Sequence, residues 1–102
     1  MSNGKLSRPW RAAELELIAG RFKMLGEPMR LRILQAVCQQ ARTVNDIVAA
    51  TGSTQANVSK HLALLAAAGI LERRKAGQSV YYGMKDQLAV KLCELVRAHV
   101  AE

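Results

Sequence analysis

Cysteine is scarce in this sequence of 102 residues, which contains two, Cys38 and Cys93. Two cysteines are too few for the disulfide framework that stabilises small secreted domains. Long apolar runs are also missing, since the longest, LALLAAAGIL at residues 62–71, is too short to cross a bilayer. The first ten residues are polar and basic and lack the apolar segment of a secretory signal. These absences favour a cytoplasmic protein whose two thiols are reduced.

Acidic residues are few, with 8 Asp and Glu against 15 Lys and Arg, so the formal net charge is +7. A small basic domain suits a polyanionic partner, with nucleic acid first and an anionic membrane surface second. General solubility also accounts for a positive charge. Charge by itself therefore leaves all three explanations open.

Four helical segments and a hairpin precede a last helix, in a domain predicted at residues 11–102 that follows a flexible basic arm at 1–10. Thr43 and Ser53 are the predicted N-caps of the third and fourth helices. After Gly69 the apolar period changes from that of a helix to that of a strand. The predicted helices are 11–25, 27–40, 43–51, 53–68 and 85–101, and two strands flank a turn at 76–78.

The last helix has more apolar surface than one small domain can cover. Its apolar residues form two adjoining stripes at helical spacing. A second copy of the chain can cover the remainder, so we expect dimerisation through the terminal helices. The stripes consist of Leu88, Leu92 and Leu95 on one side and Ala89, Cys93, Val96 and Val100 beside them.

The stretch STQANVSKHLALL at residues 53–65 predicts a helix with one bare face. Val58, Leu62 and Leu65 form its apolar stripe, and a set of small or polar residues points nearly the opposite way. A short helix, a turn with glycine and a second helix form the helix-turn-helix unit, whose second helix enters the major groove. Small side chains let the backbone approach, while glutamine and lysine pair with base edges. The bare face consists of Gln55, Ala56, Ser59, Lys60 and Ala63.

A basic hairpin follows this helix directly. Arg73, Arg74 and Lys75 precede the turn, and Gln78 lies within it. Such a hairpin can form a wing that straddles a phosphate backbone or a minor groove. Taken separately, the helix is also typical of a solvated amphipathic helix, and the three basic residues of a solvated charge run. In succession they predict a mainly α fold with a small β-hairpin, a winged helix-turn-helix.

Two segments, FKMLGEPMRLRILQAV and TVNDIVAATGSTQANVSKHLALLAAAGILERRKAGQSVYYGM, resemble the ArsR/SmtB family of small winged-helix repressors. The resemblance implies a homodimer that binds a pseudo-palindromic operator near a promoter and is released by an inducer. His61 belongs to the family motif, and a lone histidine on a helix is more typical of packing or of a phosphate contact than of catalysis. The residues predicted to contact DNA are Ser53, Thr54, Gln55, Ala56, Asn57, Ser59, Lys60, His61, Arg73, Arg74, Lys75 and Gln78.

The last helix offers a partial version of a metal site of this family. The family pattern is Asp-x-His and, ten residues later, His-x-x-Glu or His, shared across the dimer. Here the positions hold Asp86, Leu88, His99 and Glu102, so leucine replaces one ligand. The third helix, TVNDIVAA, lacks the cysteine of the family's other metal site. A metal-responsive repressor using Asp86, His99 and Glu102 is therefore an alternative, and Asp86 is equally typical of a helix N-terminus.

Thiol modification is the leading hypothesis for the inducing signal. Some family members sense persulfide or oxidants through one cysteine on the second helix and one on the last, and Cys38 and Cys93 lie on those two helices. Both cysteines also fall in apolar stripes, where a free cysteine packs as a small hydrophobic residue. Their registers are shifted along both helices relative to the thiol sensors, which argues against direct pairing.

Other classes of function find less support in the residues. The chain has two histidines, no nucleophile–base–acid set and no phosphate-binding glycine loop, so we expect no enzyme and no cofactor. A winged-helix module for protein–protein contact is the stronger rival, and it would bind DNA weakly and without sequence preference. The expected partners are double-stranded DNA and a second copy of the chain, without a membrane.

Overall fold

Helices enclose one small sheet in the computed structural model, which describes residues 4–101. The fold is mainly α, as predicted. Within that range, no helix is both long and apolar enough to pass through a bilayer. The helices are α1 (Ala12–Leu25), α2 (Pro28–Val37), α3 (Val44–Thr51), α4 (Gln55–Ala67) and α5 (Gln87–Val100). The strands are β1 (Arg42–Thr43), β2 (Leu71–Ala76) and β3 (Ser79–Met84).

Capping side chains set the beginnings of α3 and α4. Thr43 Oγ1 accepts a hydrogen bond from the backbone N–H of Asp46 at 3.2 Å, so the predicted cap of α3 is confirmed. Thr54 Oγ1 accepts from the backbone N–H of Asn57 at 3.1 Å and caps α4. The prediction of Ser53 as this cap is wrong by one residue, because the turn after α3 is three residues long.

A third strand joins the predicted hairpin. β1 pairs antiparallel with β3, with Arg42 opposite Tyr82 and Thr43 opposite Tyr81, so the strand order is β1-β3-β2. Helix α2 ends at Val37, before the predicted end at residue 40, because the chain must leave the helix to reach the sheet. The wing is therefore joined to the helical domain along β3 as well as through α4.

The core lies between α2, α3, α4 and the first residue of β2. Helix α1 adds Leu25 and helix α5 adds Ala89 at its edge. Burying these apolar side chains is the main force that holds α2, α3, α4 and the hairpin together. The fully buried side chains are Ile33, Val37, Ile47, Val58, Leu62, Leu65, Ile70 and Leu71.

Helices α1 and α5 leave a large apolar surface uncovered. Leu95 is 71% exposed and Val100 is 70% exposed. The two stripes predicted on α5 divide differently in the structure, because Leu92 packs against the core together with Cys93. We call the exposed set the outer apolar surface. It consists of Leu15, Leu17 and Phe22 on α1 and Leu88, Leu95, Val96 and Val100 on α5.

The arm predicted at residues 1–10 is non-helical over residues 4–10, and residues 1–3 lie outside the described residues. Arg8 donates through both Nη atoms to the carboxylate of Glu14, at 2.9 and 2.7 Å. The same carboxylate accepts from the backbone N–H of Arg11 at 2.9 Å. These bonds attach Arg8 to the first turn of α1.

Candidate nucleic-acid interface

The turn between α3 and α4 is held by its own side chains. Gly52 ends α3 in the left-handed conformation, with φ 72°, which glycine adopts without strain. Asn57 Nδ2 donates to Ser53 Oγ at 2.9 Å, while Thr54 caps α4. Ser53, Thr54 and Asn57 are among the residues predicted to contact DNA. In the structure their polar groups hold the angle between the two helices.

The exposed face of α4 has the composition that its periodicity predicted. Val58 and Leu62 are fully buried on one side of the helix. The opposite side carries short side chains, apart from one glutamine in the first turn and one lysine, so a groove wall can approach the helix closely. The exposed residues of this face are Gln55, Ala56, Ser59, Lys60 and Ala63.

His61 lies on the inner side of α4, away from this face. It is 4% exposed, and its Nδ1 accepts a hydrogen bond from Arg30 Nε at 3.2 Å. At about 100° per residue, position 61 lies about 40° from Leu65 and therefore faces the core. The structure thus places His61 where packing, the alternative considered for it, applies. A direct contact between His61 and DNA does not fit this position.

The wing presents basic side chains on both of its faces. In the antiparallel register Arg73 stands opposite Tyr82 and Arg74 opposite Tyr81. Because side chains alternate along a strand, Arg73 and Lys75 share one face of β2 and Arg74 occupies the other. All three are exposed, and none forms an ion pair with any residue between 4 and 101. Their charge is therefore available to a polyanion.

The first turn of α4 and the wing border one shallow cleft. Gln55 lines it from α4, and Ser79 and Val80 line it from β3. Thr43 and Asn45 complete the cleft from the beginning of α3. Asn45 is exposed and was not among the predicted residues, because no pattern in the sequence links the start of α3 to the wing. Gln78, next to Ser79, is exposed at the tip of the hairpin.

Arg21 links α1 to the end of α4 and to the start of α5. Its Nη1 donates to the backbone oxygen of Ala68, just beyond the end of α4, at 2.9 Å. Its Nη2 lies 3.6 Å from Oδ2 of Asp86, the N-cap of α5. One guanidinium group on α1 therefore contacts both the C-terminal end of α4 and the N-terminal end of α5.

Both cysteines line a single groove between α2 and α5. Cys38 lies just after α2 and Cys93 lies within α5, and Leu34 and Val90 contribute apolar walls. Cys38 Sγ donates to the backbone oxygen of Gln35 at 3.4 Å. Burial raises the pKa of Cys93, because a thiolate is poorly solvated there. Both thiols are free and partly exposed.

Two residues of the predicted metal site, Asp86 and His99, lie at opposite ends of α5. Asp86 caps α5, since its Oδ1 accepts from the backbone N–H of Leu88 at 3.0 Å, and its Oδ2 faces Arg21. His99 is exposed near the end of α5, and Glu102 lies outside the described residues. Among residues 4–101 no group of three or more metal-ligating side chains occurs. Helix capping therefore accounts for Asp86.

A small-sided helix that follows a tight turn, beside a basic hairpin, is the arrangement of a winged helix-turn-helix protein of the DNA-binding class. The sequence model of the ArsR family of bacterial regulatory proteins matches residues 27–73. The transcriptional repressor SmtB homolog of Synechocystis is 30% identical, over 87% of this chain and 67% of its own length. The arsenical resistance operon repressor of Bacillus subtilis is 31% identical, over 76% of this chain and 79% of its own length.

A solved structure is also similar over nearly the whole chain. It is the homodimeric winged helix-turn-helix DNA-binding domain of a possible ArsR-family regulator from Mycobacterium bovis. The two share 32% identity with a TM-score of 0.80, over 99% of this chain and 92% of the other. The present chain belongs to the ArsR family. It is accordingly a transcriptional regulator with a winged helix-turn-helix fold, and not an enzyme.

Proposed function

We propose that the protein acts in the cytoplasm as a homodimeric repressor that binds a two-fold symmetric DNA operator through α4 and the wing. The cleft shared by Gln55 and the wing residue Ser79 is the observation that carries this proposal. It joins a side chain able to pair with a base edge to a hairpin able to follow the backbone. The net charge of +7 supplies the sequence-independent attraction to phosphate.

The outer apolar surface supports the dimer. A monomer that exposes Leu95 and Val100 to this extent leaves an apolar area of the kind that marks protein interfaces. The M. bovis relative is homodimeric, and its fold extends over the same helices. A two-fold dimer carries two copies of α4, and each can enter the major groove on the same side of the duplex.

Selection of bound sequences from a random DNA pool tests this function. We expect a consensus of two inverted half-sites with centres about 10 base pairs apart, or a multiple of that spacing. A protein-interaction module would enrich no consensus, because it would bind DNA through the phosphates alone. Recovery of unrelated sequences after repeated rounds would contradict the proposal.

We further propose that modification of Cys38 and Cys93 releases the operator. The support is their position in one groove between α2 and α5, the second of which carries part of the outer apolar surface. With hydrogen peroxide, the two thiols lose two electrons and two protons, one S–S bond forms and two water molecules are produced. Such a bridge requires the two α-carbons to lie within roughly 7 Å, so α2 and α5 must be able to meet this distance.

Peroxide or a persulfide donor is expected to weaken operator binding, and a thiol reductant is expected to restore it. Cys38→Ser and Cys93→Ser should each abolish the response and leave binding by the reduced protein unchanged. Because the pKa of Cys93 is raised, little of this thiol is ionised near neutral pH, so the response should become faster as the pH rises and the thiolate forms. Gel-shift titrations of the three proteins measure this. A wild-type response in both serine variants would exclude the thiol switch.

A further inference from the structure

The contact between Arg30 and His61 joins three helices through one guanidinium group. Arg30 Nε donates to His61 Nδ1 on α4 at 3.2 Å. Its Nη1 donates to the backbone oxygen of Met24, near the end of α1, at 3.3 Å, and lies 3.2 Å from the Met24 sulfur. Helix α4 is therefore connected to α2 and α1 at the middle of its buried side.

This geometry requires a neutral imidazole. An imidazole Nδ1 that accepts a hydrogen bond carries no proton, whereas both nitrogens of a protonated ring are donors. Protonation would therefore turn the bond into a contact between two N–H groups. It would also place a second positive charge against the Arg30 guanidinium, where His61 is 4% exposed.

The charged groups around His61 come from two helices. Arg30 contacts it from α2, Glu27 at the N-cap of α2 acts on it through its charge, and Lys60, the residue before it on α4, does so from the exposed side of that helix. The Glu27 carboxylate already accepts from the backbone N–H of Met29 at 2.8 Å, as the cap of α2. Two cations thus disfavour protonation of the His61 ring and one carboxylate favours it. That carboxylate already accepts the capping hydrogen bond of α2. These surroundings favour the neutral ring.

We propose that the Arg30–His61 pair positions α4, the recognition helix of the proposed function, for sequence-specific DNA binding. Protonation of His61 then releases this contact and lowers specificity. The inference rests on the proposed function, since it concerns the same recognition helix. Its new element is a dependence of operator recognition on pH through a residue that does not touch DNA.

The direction of the pH effect follows from the burial of His61. Desolvation lowers the pKa of His61, with Glu27 acting in the opposite direction and Lys60 and Arg30 adding to the lowering. A histidine with a lowered pKa contributes stability that is complete above its unfolded value, about 6.5. This stability is lost as the pH falls below that value and through the folded pKa. The contact should therefore be intact at pH 7.5 and should weaken as the pH falls toward and through the lowered folded pKa of His61.

A simple charge effect would have the opposite sign. A protonated histidine adds positive charge, and positive charge strengthens binding to phosphate on any sequence. Release of the helix instead weakens the operator complex and leaves nonspecific binding intact. The ratio of specific to nonspecific affinity therefore separates the two explanations.

The test follows this ratio from pH 7.5 downward, over the range in which circular dichroism shows a folded protein, for the wild type, His61→Asn and His99→Asn. Asparagine at position 61 keeps an acceptor near Nδ1 and does not titrate. We expect the ratio of the wild type to fall roughly two- to tenfold, as for the loss of one net hydrogen bond. The His61→Asn ratio should stay constant, and His99→Asn, with its exposed ring replaced, should behave as the wild type. A constant wild-type ratio, or an unchanged decline in His61→Asn, would overturn the proposal.

Amide hydrogen exchange in α4 provides a readout without DNA. After correction for the intrinsic pH dependence of exchange, protection in α4 should decrease in the wild type as the pH falls over the same range. In Arg30→Met the hydrogen bond is absent at every pH, so protection should be low and independent of pH. Equal profiles in the two proteins would refute the role of the pair. If no DNA sequence is preferred at pH 7.5, the proposed function fails, and the exchange data still decide the inference.

Discussion

Replacing Leu95 by glutamate is expected to convert the dimer into monomers and to weaken operator binding on the order of a hundredfold or more. Leu95 is 71% exposed, so the domain itself loses little buried packing when it is replaced. In a two-fold interface the residue occurs twice, and each unpaired charge buried there costs about 3–5 kcal/mol. A monomer engages one half-site and loses the gain of linked binding, typically 10²–10⁴-fold.

Sedimentation at micromolar concentration measures the assembly directly, with circular dichroism to verify that the monomer is folded. Gln40→Glu is a suitable control, since it adds the same charge at an exposed position outside α1 and α5. It should remain dimeric and bind DNA nearly as the wild type does. A dimeric Leu95→Glu variant, or a monomeric wild type, would exclude the outer apolar surface as the interface.

The second large effect is expected for Gln55→Ala. Gln55 is exposed in the first turn of α4 and borders the cleft with the wing. Loss of a side chain that reads a base edge costs about 1–3 kcal/mol, and the cost applies only to the preferred base. The variant should therefore bind operators with any base at one position of each half-site almost equally. Competition binding with single-base operator variants measures this.

Arg74→Ala provides the contrast for Gln55→Ala. Arg74 is exposed on the face of β2 opposite to Arg73, and we expect it to bind phosphate. Its removal should weaken all sequences alike and reduce the slope of log affinity against log salt by about 0.9 for each phosphate that the variant no longer neutralises. If Gln55→Ala also weakened all sequences alike, Gln55 would have no role in base recognition.

Most elements of the fold could be predicted because their signals are local. Thr43 caps α3 and Gly52 ends it, and each signal needs only a few neighbouring residues. Strand β1 has two residues, and its partner in the sheet, Tyr81–Tyr82 of β3, lies far along the chain. A strand this short shows no alternation of its own, so its existence depends on tertiary pairing.

The candidate interface was predictable in composition and less so in orientation. The small and polar face of α4 follows from helical periodicity alone. The same periodicity assigns His61 to the buried side with Leu65, whereas the family motif grouped it with the residues that bind DNA. The position of Cys38 and Cys93 along one groove could not be predicted, because it depends on how α5 packs against α2. Periodicity also leaves open which stripe of α5 faces the core.

The most direct measurement is the ratio of dissociation constants for the selected operator and for a shuffled duplex of the same length and composition, at about 150 mM salt. If α4 reads the bases and the wing follows the backbone, the ratio should be roughly 10³ or more in favour of the operator. A ratio near one would show that the basic surface binds phosphate alone, and it would contradict the assignment of the chain as a sequence-specific repressor.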